Sequence, residues 1–365
     1  MPLKDSKTKI ELKLGKSQLT VALVQIEAAF PDDKIKTVVD GRETFSWRSL
    51  DGIHRRTAKV LSILDFIHRE HPETDVVVFP EYSIPLLNAI EALQRKADQH
   101  GTIIIAGSDN IADKANGLIM NRSPIVLPGR EPVWVSKREL SQWEVGYVDS
   151  PPTEITNPVL SWSIDDRRFW LAVDVCLDAS FLISDEIHLD PNPGMYIVPM
   201  CSREVTTLRT YADTLLRADG GRAVVLCNAV GEFAGGSSCV MAVTPGGRLL
   251  QPALELSESD EQLAIVELDY SQFAPRRKTS VTTRSAVGAR RKYNIRSTLE
   301  DIQILPFHES TALLARGVVN PLLYSLFGKT LRVAFLEIEK YAELAKMSYG
   351  DDFEILAIQI GRAHV

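Results

Sequence analysis

Three short segments place a reactive side chain at or just past the end of an apolar run. Asp75-Val76-Val77-Val78-Phe79-Pro80-Glu81-Tyr82 delivers a carboxylate directly after a proline, Val133-Trp134-Val135-Ser136-Lys137 ends on a lysine, and Leu171-Ala172-Val173-Asp174-Val175-Cys176-Leu177-Asp178 carries a cysteine between two acids. A carboxylate can move protons, a fixed ammonium can hold developing negative charge, and a thiolate attacks electrophilic carbon. Strand alternation puts Ala172, Asp174 and Cys176 on one face, and a carboxylate beside a cysteine is unusual for plain core. Taken singly, Glu81 also reads as the start of a loop and Lys137 as a surface lysine. Only the set carries weight.

The elements that must hold these residues are legible as buried strands and amphipathic helices. Continuous apolar runs of strand length occur at Leu19 to Ile26, Asp75 to Phe79, Thr102 to Ala106, Phe169 to Val175, Tyr196 to Pro199 and Ala223 to Cys227. Runs without alternation belong to strands covered on both faces. Between them, Ile53 to Arg69 lines up Ile53, Val60, Leu61, Leu64 and Ile67, and Leu86 to His100 lines up Leu87, Ile90 and Leu93, as helices with one apolar stripe do. Strands alternating with helices predict α/β architecture, whose functional groups sit past the strand ends.

Farther along, Ser238 to Val243 and Leu263 to Leu268 flank Thr244-Pro245-Gly246-Gly247-Arg248. Proline presets φ and glycine accepts positive φ, so this reads as a closing antiparallel hairpin. The acidic Ser257 to Gln262 reads as a solvated loop. Arg276 to Arg296 then holds eight basic residues and no acid. Leu305 to Glu337 reads as helical and Phe353 to Ile360 as a strand. The last residues, Ile360-Gly361-Arg362-Ala363-His364-Val365, read like a translated sequencing adapter. The expected division is therefore an N-terminal tail over 1–17, a main domain over 18–273, a basic linker over 274–300 and a truncated C-terminal extension over 301–365.

In this order, the three reactive segments resemble the nitrilase superfamily, the carbon-nitrogen hydrolases, whose catalytic set is Glu, Lys and Cys. The resemblance extends to Val21-Ala22-Leu23-Val24-Gln25 as an opening strand and to Leu216-Arg217-Ala218-Asp219 followed by Asn228-Ala229-Val230-Gly231. It ends with Gly236-Ser237-Ser238 and Pro245-Gly246-Gly247-Arg248 as the final hairpin. It implies a four-layer α-β-β-α sandwich with two mixed sheets, a homodimer, and hydrolysis of a small amide, carbamoyl compound or nitrile with no metal or cofactor. A soluble cytoplasmic protein is expected because Met1 to Leu19 holds no apolar run of signal-peptide length and no stretch reaches transmembrane length.

The roles implied are specific. Cys176 attacks, Glu81 serves as base and then acid, and Lys137 with the backbone N–H of Leu177 holds the oxyanion. Glu144 orients the lysine, in preference to Glu139, which sits two residues from Lys137. Tyr82, Asp174, Asp178 and Cys201 are expected around the substrate. Asp174 stands where the family has a small or apolar residue, and reads either as a second pocket carboxylate or as a partner for a buried base. Leu177 replaces a common aromatic.

Composition bounds the alternatives. The 365 residues are 45% hydrophobic and 24% charged with a net charge of −7, ordinary globular values that give no global pull toward nucleic acid. The four cysteines form no CxxC pair, which argues against a zinc ribbon or a disulfide framework. Seven histidines show no cysteine–histidine signature, and no HExxH, GxSxG, Walker or GxGxxG motif occurs. The remaining rival is a nitrilase-like binding module whose basic segment contacts nucleic acid or an acidic partner. Tyr293 is that segment's one aromatic, a poor stacking surface for single strands.

Overall fold

A computed structural model describes residues 9–12, 14–39, 42–113, 117–152, 157–164, 166–180, 194–218, 222–242, 252–269 and 287–295. In chain order the elements are β1 (Lys9–Glu11), β2 (Gln18–Gln25), β3 (Lys34–Val39), β4 (Arg42–Trp47), α1 (Leu50–Glu70), β5 (Val76–Phe79), α2 (Leu86–His100), β6 (Ile103–Ala106), β7 (Asp109–Ala112), β8 (Ile119–Val126) and β9 (Val133–Ser136). There follow β10 (Val159–Ile164), β11 (Arg167–Val173), a short 3-10 helix at Cys176–Ser180, β12 (Gly194–Met200), α3 (Val205–Ala218), β13 (Arg222–Asn228), β14 (Cys239–Ala242), β15 (Leu254–Glu255), β16 (Gln262–Asp269) and β17 (Val287–Asn294).

The strands form two large mixed sheets. One runs β1-β10-β11-β12-β13-β14-β15, the other β17-β16-β2-β5-β6-β8-β7 with β9 also on β8. Strand alternation explains the layering. Val21, Leu23, Val76, Val78, Ile103 and Ile105 share a core with Leu171, Val173, Ile197 and Val225 of the other sheet. Their neighbours Ala22, Val24, Val77, Phe79 and Ile104 point the opposite way, onto Val60, Leu64 and Ile67 of α1 and Ala89, Leu93 and Ala97 of α2. On the far side, Val205, Leu208, Ala212 and Leu216 of α3 join the first core. This is the expected α-β-β-α sandwich. Each fully buried Val, Leu or Ile contributes about 1.5–3 kcal/mol, and strands covered on both faces need the unbroken apolar runs seen here.

The helices begin and end where local chemistry dictates. Ser49 caps α1, its Oγ accepting the Gly52 N–H at 3.1 Å, and Pro72 follows the last turn. For α2, Pro85 stands at the N-terminus and Gly101 closes the helix with φ 67, a conformation that glycine adopts without steric penalty.

Several expectations are corrected. The stretch 1–17, expected as a tail, contributes β1, which pairs in parallel with β10. The basic stretch 274–300, expected as a linker, contains β17, antiparallel to β16. Arg291 and Lys292 are exposed on this sheet edge while Ile295 is buried; charge on an edge strand discourages further pairing. Tyr293 packs on Phe66 with centroids 5.2 Å apart and hydrogen-bonds His71 Nε2 at 2.7 Å, so this aromatic is an anchor. The hairpin joining 238–243 to 263–268 does not form: β14 pairs with β13 and β15, whereas β16 crosses to the other sheet beside β2. Two apolar runs flanking a turn signal define strands, but only long-range packing chooses their partners. The turn 244–248 itself, the loop 181–193 and the extension 301–365 lie outside the described residues. No helix among the described residues is long and apolar enough to cross a membrane.

Candidate active site

The site forms where strand ends of both sheets meet. From the second sheet, β5 ends at Phe79 and is followed by Pro80, Glu81 and Tyr82, while β9 ends at Ser136 and is followed by Lys137. From the first, β11 leads through Asp174 and Val175 to Cys176, and β12 leads to Cys201. Gly107 helps set the position of Glu81: a Cβ there would lie 2.0 Å from the Pro80 carbonyl oxygen. Tyr82 and Cys176 both carry positive φ, 56° and 51°. A non-glycine residue in this region stores about 1–3 kcal/mol, and such strain gathers at functional positions.

Glu81, Lys137 and Glu144 form one buried ionic network. Lys137 Nζ donates to Glu81 Oε1 at 2.9 Å and to Glu144 Oε2 at 2.7 Å, and all three side chains are fully shielded from solvent or nearly so. Asn121 Nδ2 lies 2.7 Å from Glu81 Oε1 and 2.8 Å from Glu144 Oε1. Glu144 also accepts from Tyr82 OH at 2.7 Å and from the Ser141 N–H and Oγ at 2.8 and 2.5 Å. Glu81 Oε2 takes the Cys201 N–H at 2.9 Å, a bond that ties the two sheets together. The same Cys201 amide contacts the Cys176 thiol, and Glu81, Lys137 and Glu144 all act on that thiol electrostatically.

These contacts drive the two carboxylates apart in proton affinity. Burial raises Glu81; Lys137 pulls it back, but the charge of Glu144 adds to the rise and the net shift is upward. Burial would also raise Glu144, yet Lys137 and the two Ser141 donors outweigh it and hold the group below its ordinary value. The same surroundings thus shift the two carboxylates in opposite directions, Glu81 up and Glu144 down. Burial alone would lower Lys137, but Glu81, Cys176 and Glu144 keep its ammonium well above the usual lysine range. Burial, then Glu81, push the Cys176 thiol up, with Lys137 opposing them.

Two sequence-predicted residues sit within the scaffold of the site. Tyr82 is fully buried, its hydroxyl donating toward Glu144 and toward Asn110 Oδ1 at 3.0 Å and accepting from Asn121 at 2.9 Å. The Asp178 carboxylate accepts the Arg138 N–H at 3.0 Å and the Glu139 N–H at 2.7 Å, clamping the Cys176 helix to the Lys137 segment. Burial raises Asp178 to about 6 against those two donors. Cys201 reaches the network through its backbone. Asp174 is buried, with its N–H on the Ile197 carbonyl oxygen at 3.0 Å; the carboxylates bonded to Lys137 are Glu81 and Glu144. The Glu139 side chain is exposed. Leu177 lies in the first turn of the short helix, where backbone N–H groups have no intrahelical partner.

No protein-family model and no curated protein matches the sequence. Solved structures do match. Nit3 of Saccharomyces cerevisiae, a member of branch 10 of the nitrilase superfamily, superposes with a TM-score of 0.50 at 19% identity, over 78% of this chain and 94% of that one. A carbon-nitrogen hydrolase from Helicobacter pylori G27 gives 0.50 at 16% identity, over 70% of this chain and 91% of that one. The chain has the nitrilase fold.

On this nitrilase fold, sequence reasoning missed Asn121, Ser141 and a second buried pair. Asn121 interrupts the apolar side of β8, and asparagine is depleted in strands, which was its one available signal. Lys34, in a stretch without a readable pattern, is buried on Asp109, and Trp47 Nε1 donates to the other Asp109 oxygen at 3.0 Å. The Lys34 ammonium lies 5.2 Å from the Tyr82 ring centroid, 5.6 Å from Trp47 and 5.9 Å from Phe30. Beside it, Phe30 packs edge to face on Phe45, Tyr82 and Trp143, with centroids between 5.1 and 5.4 Å. All four cysteines are buried and free. Among the described residues no group of three or more His, Cys, Asp and Glu side chains is arranged to hold a metal ion.

Proposed function

We propose that this protein is a thiol hydrolase that cleaves a non-peptide C–N bond of a small amide, carbamoyl compound or nitrile. The observation that carries this reading is the convergence of Glu81, Lys137 and Glu144 in one buried network beside the Cys176 thiol.

For an amide, Cys176 Sγ attacks the carbonyl carbon while its proton passes to Glu81 Oε2. The carbonyl π electrons move to oxygen, where the Lys137 ammonium and the Leu177 N–H stabilise the charge, each such donor being worth on the order of 10²- to 10³-fold in rate. Glu81 returns the proton to the departing nitrogen, the C–N bond breaks, and an acyl thioester remains. Water then gives its proton to Glu81 and attacks the thioester, releasing the acid and restoring the thiol. Glu144 keeps Lys137 charged throughout.

The test is amine or ammonia release across an amide, carbamoyl and nitrile panel, with Cys176→Ala as control. Turnover by the wild type, a covalent acyl adduct visible by intact mass, and loss of both in Cys176→Ala are expected. Retained turnover in that variant moves the nucleophile elsewhere.

A further inference from the structure

Among the described residues, Asn121 alone bonds to Glu81, Tyr82, Lys137 and Glu144 together. Its backbone carbonyl oxygen accepts the Lys137 N–H at 2.9 Å, and its side-chain Nδ2 faces three acceptors at 2.7, 2.8 and 2.9 Å. Two N–H bonds serve three oxygens, so at least one is shared. The arrangement also has a cost. Asn121 Oδ1 is buried without a partner, and so is Nδ2 of Asn110, the residue opposite it across β7 and β8. An unsatisfied buried polar group costs about 1–3 kcal/mol. Turning the Asn121 amide over would aim its oxygen at two carboxylates, which is worse, so the carboxylates fix which end of the amide faces them.

The remaining contacts of Glu81 show what this achieves. Its Oε1 is held by Lys137 and Asn121, so Oε2 is left on the Cys201 amide that also meets the Cys176 thiol. We propose that Asn121 is a positioning residue for the hydrolysis assigned above: its amide separates the Glu81 and Glu144 carboxylates, seats both on Lys137, and so keeps Glu81 Oε2 beside the thiol. The inference rests on that functional reading. The titratable groups facing Glu81 are Lys137 past β9, Glu144 beyond it, Tyr82 next in the chain, Cys176 past β11 and Cys201 past β12. All of them are retained in the variants below. An N–H donated to a carboxylate favours its charged form, so losing it shifts Glu81 toward the protonated form.

The experiment compares the full-length wild type with Asn121→Ala and the equally sized Asn121→Asp. Two profiles are recorded from about pH 5 to about pH 9: kcat/KM for ammonia release, and the rate of Cys176 alkylation by iodoacetamide. Asn121→Ala is expected to lower kcat by about 10²-fold with KM changed by less than about threefold, and to move the acid limb of both profiles up by about one pH unit. Asn121→Asp removes the donor and adds a charge, so its limb moves at least as far. A role in shape alone predicts a lowered kcat with a wild-type limb in Asn121→Ala, and that result overturns the proposal. Failure of both variants to fold also overturns it, by making Asn121 a stability residue. If the wild type hydrolyses nothing in the panel, the functional reading falls by itself, and the alkylation limb decides the Asn121 inference.

Discussion

Two lysines are buried, Lys34 over the Tyr82 ring and Lys137 on the glutamate to which Tyr82 donates, and they differ in charge state. Lys137 faces two carboxylates and a thiol and is held well above the usual lysine range. Lys34 faces one carboxylate, Asp109, within a cage of aromatic rings, and burial takes it down to about 7. Desolvating an ammonium is expensive, and one carboxylate that also serves Trp47 and the Asn110 N–H does not fully offset it. Two carboxylates do, with hydrogen bonds from Asn121, Tyr82 and Ser141 fixing them in place. The number and anchoring of the counter-charges, rather than depth of burial, decides which lysine stays charged. A fixed cation belongs where negative charge must be stabilised. A lysine near neutrality supports the aromatic wall behind Tyr82.

The largest effect expected from this contrast is that of Lys137→Met. It leaves Glu81 and Glu144 facing each other without a cation, and one of them must take up a proton. Hydrolysis of the best amide should fall by at least about 10²- to 10³-fold, and urea unfolding at neutral pH should show a loss of about 3–5 kcal/mol. Next comes Lys34→Met. Asp109 keeps its two neutral donors, so the stability loss should be smaller, about 1–3 kcal/mol, with activity reduced less than in Lys137→Met. Equal losses of stability in the two variants would break the distinction.

The contrast also marks what could be read from the sequence. Glu81, Lys137 and Cys176 were legible because each sits at or just past an apolar run, a local signal that survives without knowing the partners. Strands β2, β5, β6 and β11 were legible as doubly covered from their unbroken apolar runs. Glu144 could be preferred over Glu139 because two residues past Lys137 is too close for a side chain to turn back onto it. Lys34 was not legible: it lies in a short polar hairpin, β3 with β4, and becomes special only when Asp109 arrives from 75 residues away. Asn121 fails similarly, since its three acceptors come from two distant segments, Glu81 with Tyr82 and Glu144. The pairing of β16 with β2, which places β17 on the same sheet, depends on the register of strands more than 200 residues apart. Local pattern cannot encode that choice.

The two lysines should also leave opposite marks on stability as a function of pH. In the folded protein Lys34 titrates near about 7, against 10.5 for an ordinary lysine. Between those values the unfolded chain binds the extra proton, so the Lys34 contribution makes stability rise with pH, by up to about 1.4 kcal/mol per pH unit. Lys137 is raised, so its stabilisation is present below 10.5 and is lost only as pH climbs through its higher folded value. Urea midpoints from about pH 7 to about pH 9 should therefore rise less steeply in Lys34→Met than in the wild type. An unchanged slope would mean that Asp109 keeps Lys34 fully charged.

The smallest effect sharpens the comparison from the other side, by asking whether any carboxylate near Lys137 suffices. Glu139 is two residues away but its side chain faces solvent, whereas Glu144 is seven residues away and bonded to the ammonium. Glu144→Gln keeps the size and loses the charge, so Lys137 retains one anionic partner, and kcat should drop by about 10²-fold. Glu139→Gln removes a charge that touches nothing in the network. Activity should stay within about twofold and stability within about 0.5 kcal/mol. If Glu139→Gln proved as damaging as Glu144→Gln, the field of nearby charges would matter more than direct bonds to the ammonium. The contrast between the two lysines would then have to be drawn from total charge around each site rather than from the carboxylates each one holds.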